Sequence, residues 1–218
     1  MDRRTDVRRD SKPVGPELFK DGAEKALLES KNGLLQFDLV VRLAGEGIAA
    51  KQFTLRPSTV QTLQRTAIQG IYTCAGTYRT GPVHIRGTTH KPPPADEVPA
   101  LVEEMCDYVK DTWTRTAVHL ASYLMWRLNW IHPFSGGNGR TSRACSYLVM
   151  CTRAGQLFPG EKTIPDQIVG HRDPYYAALD AADLAWEQAK RVDVSVMERL
   201  LEGMLAAQLL SAHRAATT

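Results

Sequence analysis

Apolar residues recur three or four positions apart along most of the chain, which is the spacing of one face of a helix. In the clearest run, Leu120, Leu124 and Leu128 repeat at every fourth position, so we expect a central, buried helix there. Gly33 is a point at which the first run can divide into two helices. The pattern predicts helices over residues 16–44, 58–71, 116–131, 174–190 and 193–213, and a further helix that begins near Asp96.

The segment over residues 76–90 has a different pattern. Val83 and Ile85 alternate with polar residues, and Gly81 and Pro82 separate two short runs, which together predict a β-hairpin. Three consecutive prolines follow, and because they donate no backbone hydrogen bonds, they predict an extended spacer. The predicted fold class is therefore all-α, a helical bundle with a small β-hairpin flap.

Length and charge divide the chain into two parts. Residues 16–218 are enough for a single domain with one core. Residues 1–15 hold five basic and three acidic side chains and are predicted to be a flexible basic tail. No basic stripe with interleaved aromatic residues accompanies this tail, so nucleic-acid binding is not expected.

The composition also limits the location of the protein. No run of about 18 apolar residues occurs, so the sequence predicts no membrane span and no membrane partner. The four cysteines form no Cys-x-x-Cys pair, which argues against a zinc site or a disulfide framework. We therefore expect a cytoplasmic protein with reduced thiols, while delivery into another cell stays open.

The candidate chemistry is concentrated in residues 131–143, Ile-His-Pro-Phe-Ser-Gly-Gly-Asn-Gly-Arg-Thr-Ser-Arg. Because a proline disfavours helical geometry in the residue before it, Pro133 should end the central helix and leave His132 extended. Apolar residues at helical spacing resume later in the segment, so a second helix should begin at Asn138 or Gly139.

The start of this second helix favours an anion. Its first N–H groups have no partner within the helix, and its macrodipole is equivalent to roughly half a positive charge. Arg140 and Arg143 add two cations in the first turn, and a bound polyphosphate would offset their repulsion with the dipole. His132 lies at the other end of the loop and can act as a base toward an attacking hydroxyl. A Walker A loop and a Rossmann fingerprint do not fit, since no lysine follows the glycines and no strand precedes them.

Residues 132–143 resemble the signature of the Fic family, His-Pro-Phe-x-Asp/Glu-Gly-Asn-Gly-Arg-x-x-Arg, at eight of its nine specified positions. The resemblance covers about residues 70–190, from the flap segment to the stretch that begins at Ile164. It implies an all-helical Fic core. It also implies transfer of AMP from ATP to a Ser, Thr or Tyr hydroxyl of a target protein.

The resemblance assigns roles to individual residues. His132 would be the general base, Phe134 would anchor the loop in the core, and Asn138 would orient the loop. The residues that would hold the nucleotide are Gly137, Asn138, Gly139, Arg140 and Arg143, of which the last two and Asn138 also count as catalytic. The flap residues that would dock the target by adding a strand are Thr77, Tyr78, Arg79, Val83, His84 and Ile85.

One position departs from the family pattern. Where the signature has an acidic Mg²⁺ ligand, this sequence has Gly136, which has no side-chain oxygen. No metal ligand is therefore assigned, and Mg²⁺ stays open as a companion of the ATP co-substrate. The departure leaves three interpretations open: a natural variant with altered chemistry, a degenerate binding protein, or an introduced substitution.

The sequence predicts a protein adenylyltransferase that uses ATP. The alternatives are a weakened or silent module that binds a nucleotide or a protein, and an enzyme that transfers a different phosphate-containing group. The family's inhibitory pattern, Ser/Thr-x-x-x-Glu-Gly/Asn, is matched neither around Glu29 nor at Glu202, where Glu198 replaces the Ser or Thr. We therefore interpret Glu202 as solvent-facing and keep open a separate, antitoxin-like inhibitory partner.

Overall fold

The computed structural model describes residue 11 and residues 18–19, 21–160 and 162–217. Within these residues the chain forms eight helices, and an isolated antiparallel β-bridge joins Ser11 to Ile85. The predicted all-α fold is confirmed. None of the helices in the described ranges combines the length and apolar character that crossing a membrane requires. The helices are α1 (Gly22–Ala50), α2 (Pro57–Ile68), α3 (Val98–Asp111), α4 (Ala117–Ile131), α5 (Asn138–Ala154), α6 (Ile164–Gly170), α7 (Arg172–Ala189) and α8 (Ser195–Thr217).

The first helix is more continuous than predicted. α1 begins where the Asp21 side chain caps its first turn, and it runs without a break through Gly33. Asn32 and Gln36 lie on either side of this glycine and donate hydrogen bonds to carbonyls in and just after α2. The predicted division at Gly33 is wrong, because this packing outweighs the low helix propensity of glycine.

The other predicted helices are present, but they begin or end at slightly different residues than predicted. The first helix begins at Gly22, and residues 18 and 19 are not helical, so the predicted start near residue 16 is wrong. The basic tail predicted over residues 1–15 lies outside the described residues, apart from Ser11. The short α6 was not predicted, because a helix of seven residues is too short to show a period. A capping box between Thr163 and Asp166 marks its start instead. The Glu202 side chain is exposed, as predicted.

α4 is the centre of the bundle. Every residue from His119 to Leu128 is buried, because α3, α5, α7 and α8 all pack against this helix. A helix surrounded in this way must satisfy its polar groups inside the bundle. One such contact is the hydrogen bond that Ser146 Oγ of α5 donates to the Ala121 carbonyl at 2.8 Å. The close α4–α5 pair fixes the two ends of the loop between them.

The predicted β-hairpin over residues 76–90 is wrong. The described part of this segment has no paired strands of its own, and its single bridge joins Ile85 to Ser11. Pro82 has no backbone N–H to donate to a β-ladder. The Arg79 guanidinium donates hydrogen bonds to the carbonyls of Gly81 and of Pro93 in the following spacer. The flap is therefore an irregular segment held by a side chain rather than by strand pairing.

Two glycines of α1 provide a matched test of how this helix packs. Gly33→Ala should raise the free energy of unfolding by about 0.5–1 kcal/mol, because alanine favours helix and no atom lies within 4 Å of the added Cβ. Gly47→Ala should lower it, since its Cβ would lie 2.8 Å from Thr152 Cγ2. Thr152 is buried and held by a hydrogen bond to the Leu148 carbonyl, so it cannot turn away. Urea unfolding followed by circular dichroism measures both changes, and equal stabilisation by both would contradict the close approach of α1 to α5.

Candidate active site

The loop after α4 begins with a left-handed residue. His132 has φ 50° and ψ 57°, and its N–H donates to the Leu128 carbonyl at 2.9 Å, which closes the last turn of α4. The helix ends at Ile131, as predicted, but the predicted extended geometry of His132 is wrong. Pro133 disfavours the right-handed helical region for its neighbour, and the left-handed region keeps the closing hydrogen bond.

A side-chain amide fixes the shape of this loop. Asn138 Nδ2 donates to the Phe134 carbonyl at 2.8 Å, and its Oδ1 accepts from the Phe134 N–H at 3.0 Å. The Phe134 ring is fully buried and packs against Tyr78. The loop is therefore held at both backbone groups of a residue whose ring is anchored in the core.

The residue that precedes α5 is a glycine, and any other residue at this position would be strained. Gly137 has φ 78°, and a Cβ at this position would lie 2.9 Å from Ile68 Cγ2. No side chain caps the helix start, and the Thr141 N–H is the donor to the Gly137 carbonyl. The N–H groups of residues 138–140 therefore have no partner within the helix, at the positive end of its dipole.

A cavity of about 1010 Å³ lies in front of this helix start. It is large enough for a nucleotide, and its lining has five cationic side chains against two carboxylates. Such an excess of positive charge in a concave site attracts a polyanion. The cations are Lys25, Arg86, Arg140, Arg143 and Arg172, and the carboxylates are Glu29 and Asp183.

The two arginines of the α5 start differ in their contacts. Arg140 donates to the Ala67 carbonyl at 3.2 Å and lies 3.4 Å from a Glu29 carboxylate oxygen. Within the described residues, no hydrogen bond joins Arg143 to a protein acceptor. Burial lowers the pKa of Arg143, and the charges of Arg140 and Arg172 lower it further. An incoming anion would relieve this repulsion, so Arg143 gains more from such a ligand than Arg140 does.

The imidazole of His132 lines the same cavity as a neutral base. Its Nδ1 lies 3.3 Å from the Asn129 carbonyl, which favours the tautomer with the proton on Nδ1, and its Nε2 lies 2.9 Å from Ser11 Oγ. Burial lowers the pKa of His132 to about 3, and the charge of Arg79 contributes to this lowering. At neutral pH the Nε2 lone pair is therefore available to a hydroxyl.

Residues 54–150, which include this loop and both flanking helices up to Met150, match the Fic/DOC family. Over these residues the chain is similar to the Fic/DOC family. Three solved structures share its fold: a Fic domain containing signaling protein from Bacteroides thetaiotaomicron VPI-5482, a Fic family protein from Desulfovibrio desulfuricans G20, and a fragment of Fic-1 from C. elegans.

The likeness to these structures concerns the fold. Their TM-scores are 0.72, 0.55 and 0.66, at sequence identities of 22%, 21% and 22%. The matches cover 91%, 89% and 87% of this chain, and 76%, 63% and 53% of the three relatives in turn. The chain thus spans about half the length of the C. elegans fragment.

Two of the predicted docking residues have side chains that lie beneath the loop. Arg79 is 4% exposed, and its guanidinium donates to the carbonyls of Ile131 and His132. The Arg79 side chain thus binds the loop instead of facing a target, and docking through its backbone stays a prediction. The Tyr78 ring packs on Phe134, and burial raises the pKa of its hydroxyl to about 12.

The other flap residues lie closer to the surface. Thr77 and His84 are exposed and Val83 is half-buried, so their predicted docking role stays a prediction. Ile85 has a buried side chain, and its backbone forms the bridge to Ser11.

Sequence reasoning missed the cavity residues that come from distant helices. Lys25 and Glu29 lie one helical turn apart on α1, a spacing that any exposed ion pair also has, and Arg172 and Asp183 belong to α7. No local pattern distinguishes these residues. They meet the loop only because α1 and α7 pack beside it.

One end of the cavity is aromatic. Trp126 and Trp130 line it, and Trp126 Nε1 donates to Asp183 Oδ1 at 2.8 Å. The buried Arg127 guanidinium lies 4.4 Å from the Trp130 ring centroid and 4.7 Å from that of Trp186. The Trp126 ring is fully buried.

The loop between α4 and α5 does not offer a carboxylate for Mg²⁺. Gly136 has no side chain, and its carbonyl accepts a hydrogen bond from Gln64 Nε2 at 3.0 Å. The two carboxylates of the cavity lining are engaged, Glu29 with Arg140 and Asp183 with Trp126. Among the described residues, no group of three or more His, Cys, Asp or Glu side chains could hold a metal ion. The described residues around the loop therefore do not fit a Mg²⁺ site built on protein carboxylates.

The protonation state of His132 can be measured directly. Because burial lowers its pKa to about 3, its imidazole ¹⁵N signals should keep the neutral pattern from pH 7.5 down to pH about 5. The unfolded chain binds a proton at this histidine below pH about 6.5, whereas the native state does not. His132 should therefore lower the free energy of unfolding as the pH falls from about 6.5 toward 3. Comparison with His132→Asn assigns the signals and should remove that part of the pH dependence. A protonation midpoint near 6.5 in the native protein would contradict the burial of the ring.

Proposed function

We propose that this chain transfers AMP from ATP to a hydroxyl side chain of a target protein. The observation that carries the proposal is the joint placement of His132 Nε2 and the start of α5 on one cavity, with a hydroxyl 2.9 Å from that nitrogen. A base, an anion site and a position for an acceptor then lie within one volume. These are the groups that nucleotidyl transfer requires.

The phosphates of ATP would lie at the start of α5. The backbone N–H groups of residues 138–140 and the guanidinium of Arg143 are the donors available to them. Arg140 would add charge, although it shares its guanidinium with Glu29 and the Ala67 carbonyl. The aromatic end of the cavity, at Trp130, would take the base.

The transfer step would begin when the acceptor oxygen attacks the α-phosphorus. A bond forms between these atoms, the bond from the α-phosphorus to the bridging oxygen breaks, and pyrophosphate leaves. His132 Nε2 takes the hydroxyl proton, while its Nδ1–H remains directed at the Asn129 carbonyl. The phosphates stabilise the imidazolium that results, since an opposite charge favours the charged form of a histidine.

A second candidate function is a module that binds a nucleotide or a protein without catalysis. Gly136 favours this candidate, because a metal ion that bridges phosphates can supply several kcal/mol of transition-state stabilisation and this loop has no carboxylate for one. ATP binding without transfer of labelled AMP to any protein of a cell lysate would decide for it. A separate inhibitory protein remains a proposal under either function.

The substitution His132→Asn tests the proposed function. Asparagine tolerates the left-handed backbone at this position and keeps a polar side chain, but it has no basic nitrogen. Transfer of AMP should fall by about 10²–10⁴-fold, the usual contribution of a general base. ATP affinity measured by calorimetry should stay within a few-fold, because the base acts on the acceptor hydroxyl. An unchanged rate of transfer would remove His132 from its proposed role.

The substitution Arg143→Ala tests where the phosphates lie. It should weaken ATP binding by roughly 10–100-fold, as expected for a lost charge-assisted contact, and weaken AMP binding much less. Arg199→Ala is the control, because this arginine of α8 is exposed and does not line the cavity. Its removal changes the net charge equally and should leave both affinities unchanged. Equal losses for ATP and AMP in Arg143→Ala would place the guanidinium away from the distal phosphates.

A further inference from the structure

Ser11 lies inside the candidate active site although it is distant from the loop in sequence. Its Oγ is 2.9 Å from His132 Nε2 and 3.2 Å from the Ser135 carbonyl oxygen. The residue is half-buried and is part of the cavity lining. A hydroxyl of the chain itself is thus in hydrogen-bond contact with the basic nitrogen.

The backbone of Ser11 is held as well as its side chain. Ser11 and Ile85 form an isolated antiparallel β-bridge. Backbone pairing to a flap sets the register of an extended segment, and the side chain of the paired residue then has a defined position. At this register the side chain of Ser11 reaches His132.

The tautomer of His132 matches this contact. Since Nδ1 carries the proton that faces the Asn129 carbonyl, Nε2 is the acceptor and the Ser11 hydroxyl can donate to it. The Ser135 carbonyl is the alternative acceptor for the same hydrogen. The oxygen therefore contacts the base and lines the same cavity as the start of α5.

We propose that Ser11 is an acceptor of AMP within its own chain. The proposal rests on the proposed function and names one substrate of the same site. Ser11 Oγ forms a bond to the α-phosphorus of ATP, the bond from that phosphorus to the bridging oxygen breaks, and pyrophosphate leaves. His132 Nε2 takes the hydroxyl proton and later releases it to solvent. The products are one adenylylated serine and one pyrophosphate, so no oxidant, reductant or further co-reactant is needed.

The test uses the full chain with ATP and intact-mass and tandem mass spectrometry. Wild-type protein should gain one AMP group at Ser11, and Ser11→Ala should lose that modification. Ser11→Thr, which keeps a hydroxyl, should restore it, and Thr5→Ala, which removes a nearby hydroxyl of the same segment, should leave it unchanged. The rate constant should not change when the protein is diluted, because base and acceptor belong to one chain.

A mixture of two variants separates reaction within a chain from reaction between chains. When Ser11→Ala, which keeps the base, is mixed with His132→Asn, which keeps the acceptor, the His132→Asn chains should stay unmodified. A synthetic peptide of residues 6–17 contains Ser11 as its one hydroxyl residue, and Ser11→Ala protein should adenylylate it.

Each failure has a distinct meaning. If AMP appears on other residues or on lysate proteins while Ser11 of the wild type and the peptide stay unmodified, the Ser11 proposal is overturned and the proposed function stands. If ATP binds but no protein or peptide gains AMP, both proposals are overturned. Modification of Ser11 that rises in proportion to protein concentration would overturn transfer within the chain.

Discussion

The buried guanidinium of Arg79 holds together the segments that form the candidate site. Its Nε donates to the His132 carbonyl at 2.8 Å, and its other nitrogens donate to carbonyls of Ile131, Gly81 and Pro93. These acceptors belong to the end of α4, the flap and the proline spacer. One planar cation thus joins three segments that have no β-ladder between them. Without it, four buried or half-buried carbonyls would lose a partner, and leaving such groups unpaired is costly.

The same cation affects the charge balance of the cavity. The charge of Arg79 disfavours the protonation of His132, while four arginines line the cavity, at positions 86, 140, 143 and 172. The start of α5 adds the positive end of a helix dipole. Without a ligand, this excess of positive charge opposes folding, and a bound polyanion offsets it. The same excess of positive charge therefore lowers the stability of the protein alone and favours the binding of a phosphate-rich ligand.

The sequence predicted those parts of the site that follow one another along the chain. The end of α4 at Ile131 and the helix start at Asn138 depend on local rules, a proline and an apolar stripe. The burial of Phe134 was implied by the family resemblance. The family signature is equally local, since its residues lie on one loop and one helical turn. These local features do not depend on how the remaining helices are arranged.

The parts that were not predicted depend on tertiary contacts. The left-handed geometry of His132 follows from a choice between two allowed regions, which the closing hydrogen bond to Leu128 decides. The flap has the alternation of a hairpin, but Arg79 binds the carbonyls that a ladder would need. Lys25 and Glu29 reach the cavity only through the packing of α1. A pattern in one segment contains no information on such partners.

The tryptophans at the aromatic end of the cavity give the protein an optical property. Trp126 and Trp130 line the cavity, and the Arg127 guanidinium lies against Trp130 and Trp186, so a planar ring that entered this end would change the surroundings of several indoles at once. Indole emission responds to the polarity and charge of its surroundings. The intrinsic fluorescence of the unlabelled chain should therefore report the arrival and departure of a ligand in real time, with Trp113, which packs on Phe53 instead, as a constant background.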